Sequence, residues 1–225
     1  GDRMFNLEYP KGSISDKVLE TADEVPSNVA LSYMGVKTTF KALKQKVLET
    51  AAAYTALGVR PGDKVTVCLP NVPQAVFSLY ALNYIGAIAS MIHPLSAEGE
   101  IIFYIKTAGS RFCITLDQFA EKFNEVLKKT DLEKLIITGA EDELNFVKKS
   151  AYRLFIKTKK QKSVKTGGKM ILWSDFIKAG KKTVVTAAHK KDVDPAVILF
   201  SGGTTGVTKG IMLSNLNFNA LACQT

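Results

Sequence analysis

Apolar, β-prone runs begin near Val65, Ile88, Phe112 and Leu135, at intervals of 23, 24 and 23 residues. Between them lie segments with helical character, Val72 to Gly86, Ala97 to Ala108 and Asp117 to Lys129. A strand, a helix and the return to the next strand fit within that pitch. Parallel strands need such a crossover, because a tight turn joins only antiparallel ones. The runs are short and almost uniformly apolar, as strands covered on both faces are. The expected fold class is therefore α/β, a parallel β-sheet flanked by helices.

Upstream, Asp16 to Glu24 has an amphipathic helical pattern, and Val29 to Tyr33 and Val36 to Thr39 flank Met34-Gly35 as a hairpin. Leu43, Val47, Ala51, Tyr54 and Leu57 recur at helical spacing, with Gly58 placed as a left-handed terminator and Arg60-Pro61-Gly62-Asp63 as a turn. The rhythm breaks after Thr138. Glu141 to Lys157 reads as a helix with Leu144, Val147, Ala151 and Leu154 on one face, and the polar stretch Lys157 to Lys169 reads as a mobile excursion. Order resumes over Ile171 to Ala179, and Ala196 to Phe200 is a candidate buried strand. The chain thus divides into a lead-in (1–63), a βαβ core (64–140), a basic excursion (141–194) and a strand-and-loop segment (195–225).

The formal charge of +9 sits in one place. Of 30 Lys and Arg, nine lie between Lys148 and Lys169, namely Lys148, Lys149, Arg153, Lys157, Lys159, Lys160, Lys162, Lys165 and Lys169, with no acid among them. The remaining cations balance the 21 Asp and Glu. A protein that tracks a phosphate backbone spreads its cations along one face of the fold, so no nucleic-acid partner is expected. Two readings of the basic segment stand. It is a solvated helix and loop, or a cationic amphipathic helix that touches anionic lipid.

Residues 65–97 carry no charged side chain, yet Pro70, Asn71, Pro73, Gln74, Asn83, Gly86 and Pro94 interrupt them, so strand, turn, buried helix and strand are expected rather than a membrane span. Gly1 to Tyr9 lacks the basic-then-apolar order of a signal peptide. A cytoplasmic location is expected, with peripheral membrane contact through 148–169 as a possibility. Cys68, Cys113 and Cys223 are odd in number and far apart, which argues against a disulfide framework or zinc site. Cys68 and Cys113 fall in apolar runs and are expected to be buried, reduced thiols. His93 is expected to make a turn contact, Asn71 to turn or cap the chain, Ser96 to cap the helix that begins with Glu98 and Glu100, and Trp173 to sit in the core.

The most informative segment is Val197-Ile198-Leu199-Phe200-Ser201-Gly202-Gly203-Thr204-Thr205-Gly206-Val207-Thr208-Lys209-Gly210. It runs from a strand straight into a loop. Its glycines let backbone approach a ligand closely, and successive amides can converge on an anion. Ser201, Thr204 and Thr205 add hydroxyls, and Lys209 adds a mobile positive charge. That chemistry suits a polyphosphate. It is not the Gly-x4-Gly-Lys-Ser/Thr loop that opens a helix, because Lys209 is followed by Gly210 and the strand-like Ile211-Met212-Leu213. The grip is expected to join two strands.

This loop resembles the phosphate-binding signature of the AMP-forming adenylating enzymes, the superfamily of acyl-CoA synthetases, luciferases and peptide-synthetase adenylation domains. Its double glycine is most similar to the long-chain fatty acyl-CoA ligase branch. Thr208 stands where many members carry proline, and Asn215 where many carry histidine. Leu57 to Val65, Leu69-Pro70-Asn71, and Tyr84-Ile85-Gly86-Ala87 through His93-Pro94-Leu95 also match the family's N-terminal subdomain in order.

The resemblance implies a two-step reaction, in which a carboxylate and ATP give an acyl-adenylate and pyrophosphate, and the thiol of coenzyme A then displaces AMP. It implies that Ser201, Gly202, Gly203, Thr204, Thr205, Gly206 and Lys209 hold the β- and γ-phosphates, with Thr204 near Mg²⁺. ATP, Mg²⁺, CoA and a carboxylic acid, a fatty acid first of all, are the implied ligands. The family's later motifs do not occur before Thr225. The chain is therefore expected to be the N-terminal part of a ligase that folds without adenylating by itself and contains no assigned catalytic residue. Amino-acid or aryl-acid activation, and a non-enzymatic nucleotide- or lipid-binding module, are the alternatives.

Overall fold

The structure is a computed structural model that describes residues 12–188, 194–201 and 209–214, with backbone course alone at 201 and 209–214. Helix α1 (Ile14–Glu24) opens on a reciprocal cap in which Ser13 and Asp16 each bond the other's backbone amide. Strands β1 (Val29–Tyr33) and β2 (Val36–Thr39) form a separate hairpin. Its turn residues Met34 and Gly35 take φ of 48° and 76°, the positive values that match the twist of a two-residue hairpin. Helix α2 (Phe40–Leu57) buries Leu43, Val47, Ala51 and Tyr54 and stops at Gly58, whose φ of 106° is left-handed.

The periodic region follows its pitch. Strand β3 (Lys64–Cys68), helix α3 (Pro73–Tyr84), strand β4 (Ile88–Met91), helix α4 (Glu98–Ala108), strand β5 (Phe112–Leu116), a 3-10 turn over Asp117–Phe119, helix α5 (Ala120–Lys129) and strand β6 (Lys134–Thr138) alternate as expected. Helices α6 (Phe146–Phe155) and α7 (Lys159–Lys162), strand β7 (Met170–Leu172), helix α8 (Trp173–Gly180) and strands β8 (Pro195–Ser201) and β9 (Lys209–Ser214) complete the described chain.

The main sheet has the order β7-β6-β5-β3-β4-β8-β9. The first six strands in that order are parallel and β9 is antiparallel to β8. The expectation of a parallel sheet holds for those six. β9 departs from it because only seven residues separate Ser201 from Lys209, fewer than a crossover to a parallel strand needs.

Strand order dictates which face each helix covers. The path moves one way from β3 to β4, then back across β3 to β5 and onward to β6, so right-handed crossovers put α3 on one face and α4 and α5 on the other. Side-chain packing agrees. Val65, Val67, Ile114 and Ile136 pack with α2, α3 and α8, whereas Cys68, Cys113, Leu135 and Ile137 pack with Ile101, Ile105, Phe123 and Val126 of α4 and α5. Alternate residues of each strand thus enter two different cores, which is why the runs are apolar throughout. Among the described residues no helix is long and apolar enough to cross a membrane.

Three local expectations are corrected. The helix expected from Glu141 begins only after Asn145, whose side chain accepts from Lys148 N at 3.0 Å. Asp142 is drawn instead into a turn, where its carboxylate accepts from Gly139 N at 2.8 Å and from Thr138 Oγ1 at 2.9 Å. Ser96 is not the cap of α4. Ala97 holds that position, and the Ser96 amide donates to His93 O in the preceding turn. Lys157 to Lys169 is not a loose excursion either, because α7 carries its own Thr158–Gln161 capping box and Lys157 is anchored below it.

Candidate functional site

Beyond the carboxyl end of β3 the chain turns toward one face of the sheet, and beyond β4 toward the other. Paths that part in this way open a crevice at the carboxyl edge of a parallel sheet, where such folds bind ligands. Here Leu69, Pro70 and Asn71 line one side, Met91 to Leu95 the other, and Gln118 and Phe119 a third, around a cavity of about 510 Å³.

Identifiable bonds fix each wall. Val72 N donates to Pro70 O at 2.8 Å, so Asn71 sits in a turn, and Pro73 opens α3 where no amide is needed. Opposite, Leu95 N donates to His93 Nδ1 at 3.1 Å, the turn contact expected of that histidine. Lys122 of α5 reaches Pro94 O at 3.2 Å and Ser96 O at 3.0 Å, its ammonium 4.9 Å from the Phe119 ring centroid. Gln74 of α3 donates to Thr138 Oγ1 at 2.9 Å and Gly139 O at 2.8 Å, tying α3 to the end of β6. The sequence reading did not mark Lys122, and took Gln74 only as a polar break in an uncharged run. Their partners lie 26 to 65 residues away, and no local pattern announces them.

Strand β8 lies beside β4 with Leu199 opposite Met91. Two residues further along, the segment after β4 has reached His93 and β8 has reached Ser201, so Ser201 stands at the same edge as the crevice. Ser201 pairs with Lys209 across the antiparallel β8–β9 ladder. The expectation that the glycine-threonine loop joins two strands is met at both its ends. Gly202, Gly203, Thr204, Thr205 and Gly206, with the Mg²⁺ expectation at Thr204, lie outside the described residues.

The end of β8 is anchored by a ring pair. Phe200 stacks on Tyr104 of α4 with centroids 4.5 Å apart, and Tyr104 is buried with its hydroxyl donating to Glu100 at 3.3 Å.

A second polar group closes the same edge further along. Lys157 Nζ lies 2.8 Å from Asp117 and 2.7 Å from Glu141, and Arg153 Nε is 3.2 Å from Glu141. Burial pushes the Asp117 carboxyl up, with Lys157 opposing. Burial also works to raise Glu141, but the hydrogen bond from Lys157 and its neighbours carries that group below the usual carboxylate range. Lys157 itself is raised, because its two carboxylate partners outweigh desolvation. This is a structural ion cluster that closes the ends of β5 and β6. A larger cavity of about 700 Å³ lies between α5 and residues 156–165 and, among the described residues, shares only Gln118 with the crevice. Cys68 and Cys113 are buried free thiols, and Trp173 is in the core with its Nε1 donating to Glu143, as expected.

A family model described as "AMP-binding enzyme" matches residues 18–225. A long-chain-fatty-acid–CoA ligase of Bacillus subtilis is 30% identical over 220 residues, which is 97% of this chain and 39% of the relative. The chain thus spans about two fifths of that relative's length. Among solved structures, an anthranilate CoA ligase bound to anthranoyl-AMP superposes with a TM-score of 0.77 at 20% identity, covering 95% of this chain and 36% of the other. A long-chain-fatty-acid–CoA ligase of Archaeoglobus fulgidus gives 0.74 at 24%, covering 97% and 40%. These structural likenesses establish a shared fold.

Proposed function

The chain belongs to the AMP-binding enzyme family, and on that premise we propose that it carries the ATP-gripping part of a ligase that activates a carboxylic acid. The acid is a fatty acid, a choice supported by the name of the Bacillus subtilis relative. A carboxylate oxygen attacks the α-phosphorus of ATP and expels pyrophosphate. The thiol of coenzyme A then attacks the acyl carbon of the adenylate and releases AMP.

In this reading the amides of Gly202, Gly203 and Gly206, the hydroxyls of Ser201, Thr204 and Thr205, and the Lys209 ammonium hold the β- and γ-phosphates. Thr204 is the contact for Mg²⁺. Phosphoryl transfer chiefly needs its phosphates positioned and their developing charge met by fixed donors, which a loop of this composition supplies. The observation that carries the reading is the Ser201–Lys209 pairing, which closes the loop at the sheet edge that holds the crevice.

Calorimetric titration of the chain with MgATP is expected to give one site, whose affinity falls roughly ten- to a hundredfold in Lys209→Ala as a charge-assisted bond is lost. Fatty-acid-dependent exchange of labelled pyrophosphate into ATP by the complete gene product is expected to fall with it. Unchanged affinity in both Lys209→Ala and Thr204→Ala overturns the phosphate assignment. Exchange driven by aryl or amino acids and not by fatty acids overturns the substrate class.

A further inference from the structure

Helix α6 is built inside out. None of its residues is buried. Lys149 and Tyr152, both half-buried, mark its inner side. At about 100° per residue, Phe146, Val147, Leu154 and Phe155 occupy the opposite half-circle, and they are 83, 74, 69 and 80% exposed. Lys148 stands at one border of this apolar arc and Arg153 at the other. A helix resting on a protein ordinarily turns its apolar stripe inward. Four large apolar side chains facing outward on three turns of helix form a patch that needs a cover.

The surrounding charge decides what covers it. Residues 148–169 hold nine cations and no acid, while the rest of the chain sums to zero. Exposed Lys159, Lys162 and Lys165 extend the positive field beyond the helix. A second copy brought to this face would set like charges against like. We propose that α6 and the lysines after it form a docking surface for an anionic lipid bilayer. The apolar arc enters between headgroups, and exposed Lys159, Lys162 and Lys165 meet lipid phosphates, the arrangement by which interfacial helices bind. Lys148 and Arg153 stay on their protein partners, Met34 O and Glu141. This surface is independent of the ligase reading, since neither vesicle binding nor its loss requires adenylation.

Co-sedimentation with vesicles tests it. The chain is expected to bind phosphatidylcholine vesicles containing about 30% phosphatidylglycerol at low salt, and to lose at least roughly fivefold of that binding at about 500 mM salt or on pure phosphatidylcholine. Phe146→Ser with Phe155→Ser, and separately Lys159→Glu with Lys162→Glu, are expected to cause a similar loss. These positions are exposed, and an unchanged Trp173 fluorescence spectrum certifies each fold. Absence of binding, or binding indifferent to salt and to both pairs, overturns the proposal. So does a dimer in sedimentation equilibrium that the phenylalanine pair dissociates, which assigns the face to a second copy. Protection of Phe155→Cys from a thiol reagent in the complete gene product assigns it to the rest of that polypeptide, and equally overturns it.

Discussion

Lys157 and Glu141 meet with Nζ 2.7 Å from Oε1, and the same ammonium lies 2.8 Å from Asp117, bridging the turns that follow β5 and β6. The two carboxylate side chains are 8% and 1% exposed, so they have little water to fall back on. Removing one member of a buried ion cluster costs about 3–5 kcal/mol, because the others keep their charge without a partner. Lys157→Met is expected to fall at the lower end, since Arg153 still faces Glu141 at 3.2 Å. Urea unfolding followed by Trp173, the chain's single tryptophan, reads the change directly. Loss of less than about 1 kcal/mol would place the cluster among ordinary surface pairs.

The alkaline limb of stability should carry a thiol signature. Burial pushes Cys68 up to about 11 from near 9, and raises buried Cys113 as well. The unfolded thiol therefore gives up its proton first. Stability is whole below pH 9 and declines as pH rises toward the folded value, by about 2–3 kcal/mol for Cys68. The stability difference between the natural chain and Cys68→Ala is expected to shrink by that amount between pH 8 and 11. A difference constant across that range would show that the thiol titrates alike in both states.

At Gly180 the backbone of α8 comes against the backbone of α2 at Ala52 and Ala53. A Cβ there would stand 2.5 Å from Ala53 N and 2.7 Å from Ala53 Cα, and helix backbone cannot rotate aside as a side chain does. Gly180→Ala is expected to destabilise by about 3 kcal/mol despite alanine's better helix propensity. The lost packing includes Tyr54 against Phe176, whose ring centroids are 4.9 Å apart. Thermal unfolding should show a drop of roughly 6–12 °C. A midpoint within a degree of the natural chain would show that the helices can separate at no cost.

Repeat and turn chemistry made much of this fold readable. The 23-to-24-residue pitch announced β3 through β6, and Met34-Gly35 and Gly58 marked a hairpin and a helix end to the residue. The reading failed where long-range partners overrule local pattern. Asp142 is captured by Gly139 and Thr138, which delays α6. Val147 and Leu154 share a face as periodicity requires, but that face looks outward, and periodicity carries no sign for inside or outside. β7, three residues long, is too short to register. At the site, composition singled out the glycine-threonine segment as the proposed phosphate loop, whereas the crevice follows from the strand order, which no single segment encodes. Tyr104 went unnoticed for the same reason.

Tyr104 is the residue through which α4 steadies the end of β8. Its ring lies nearly parallel to Phe200, at 28° and 4.5 Å, one residue before Ser201. Tyr104→Ala opens a cavity under the carboxyl end of β8 at a cost of about 3–5 kcal/mol. It should also weaken MgATP binding, because the loop then closes from a strand end that has lost its support. Tyr104→Phe keeps the ring and gives up only the hydroxyl bond to Glu100, so its affinity should stay close to that of the natural chain. The pair separates positioning from mere stability. If affinity, measured well below the unfolding temperature, is unchanged in Tyr104→Ala, the ring pair supports the strand and not the grip.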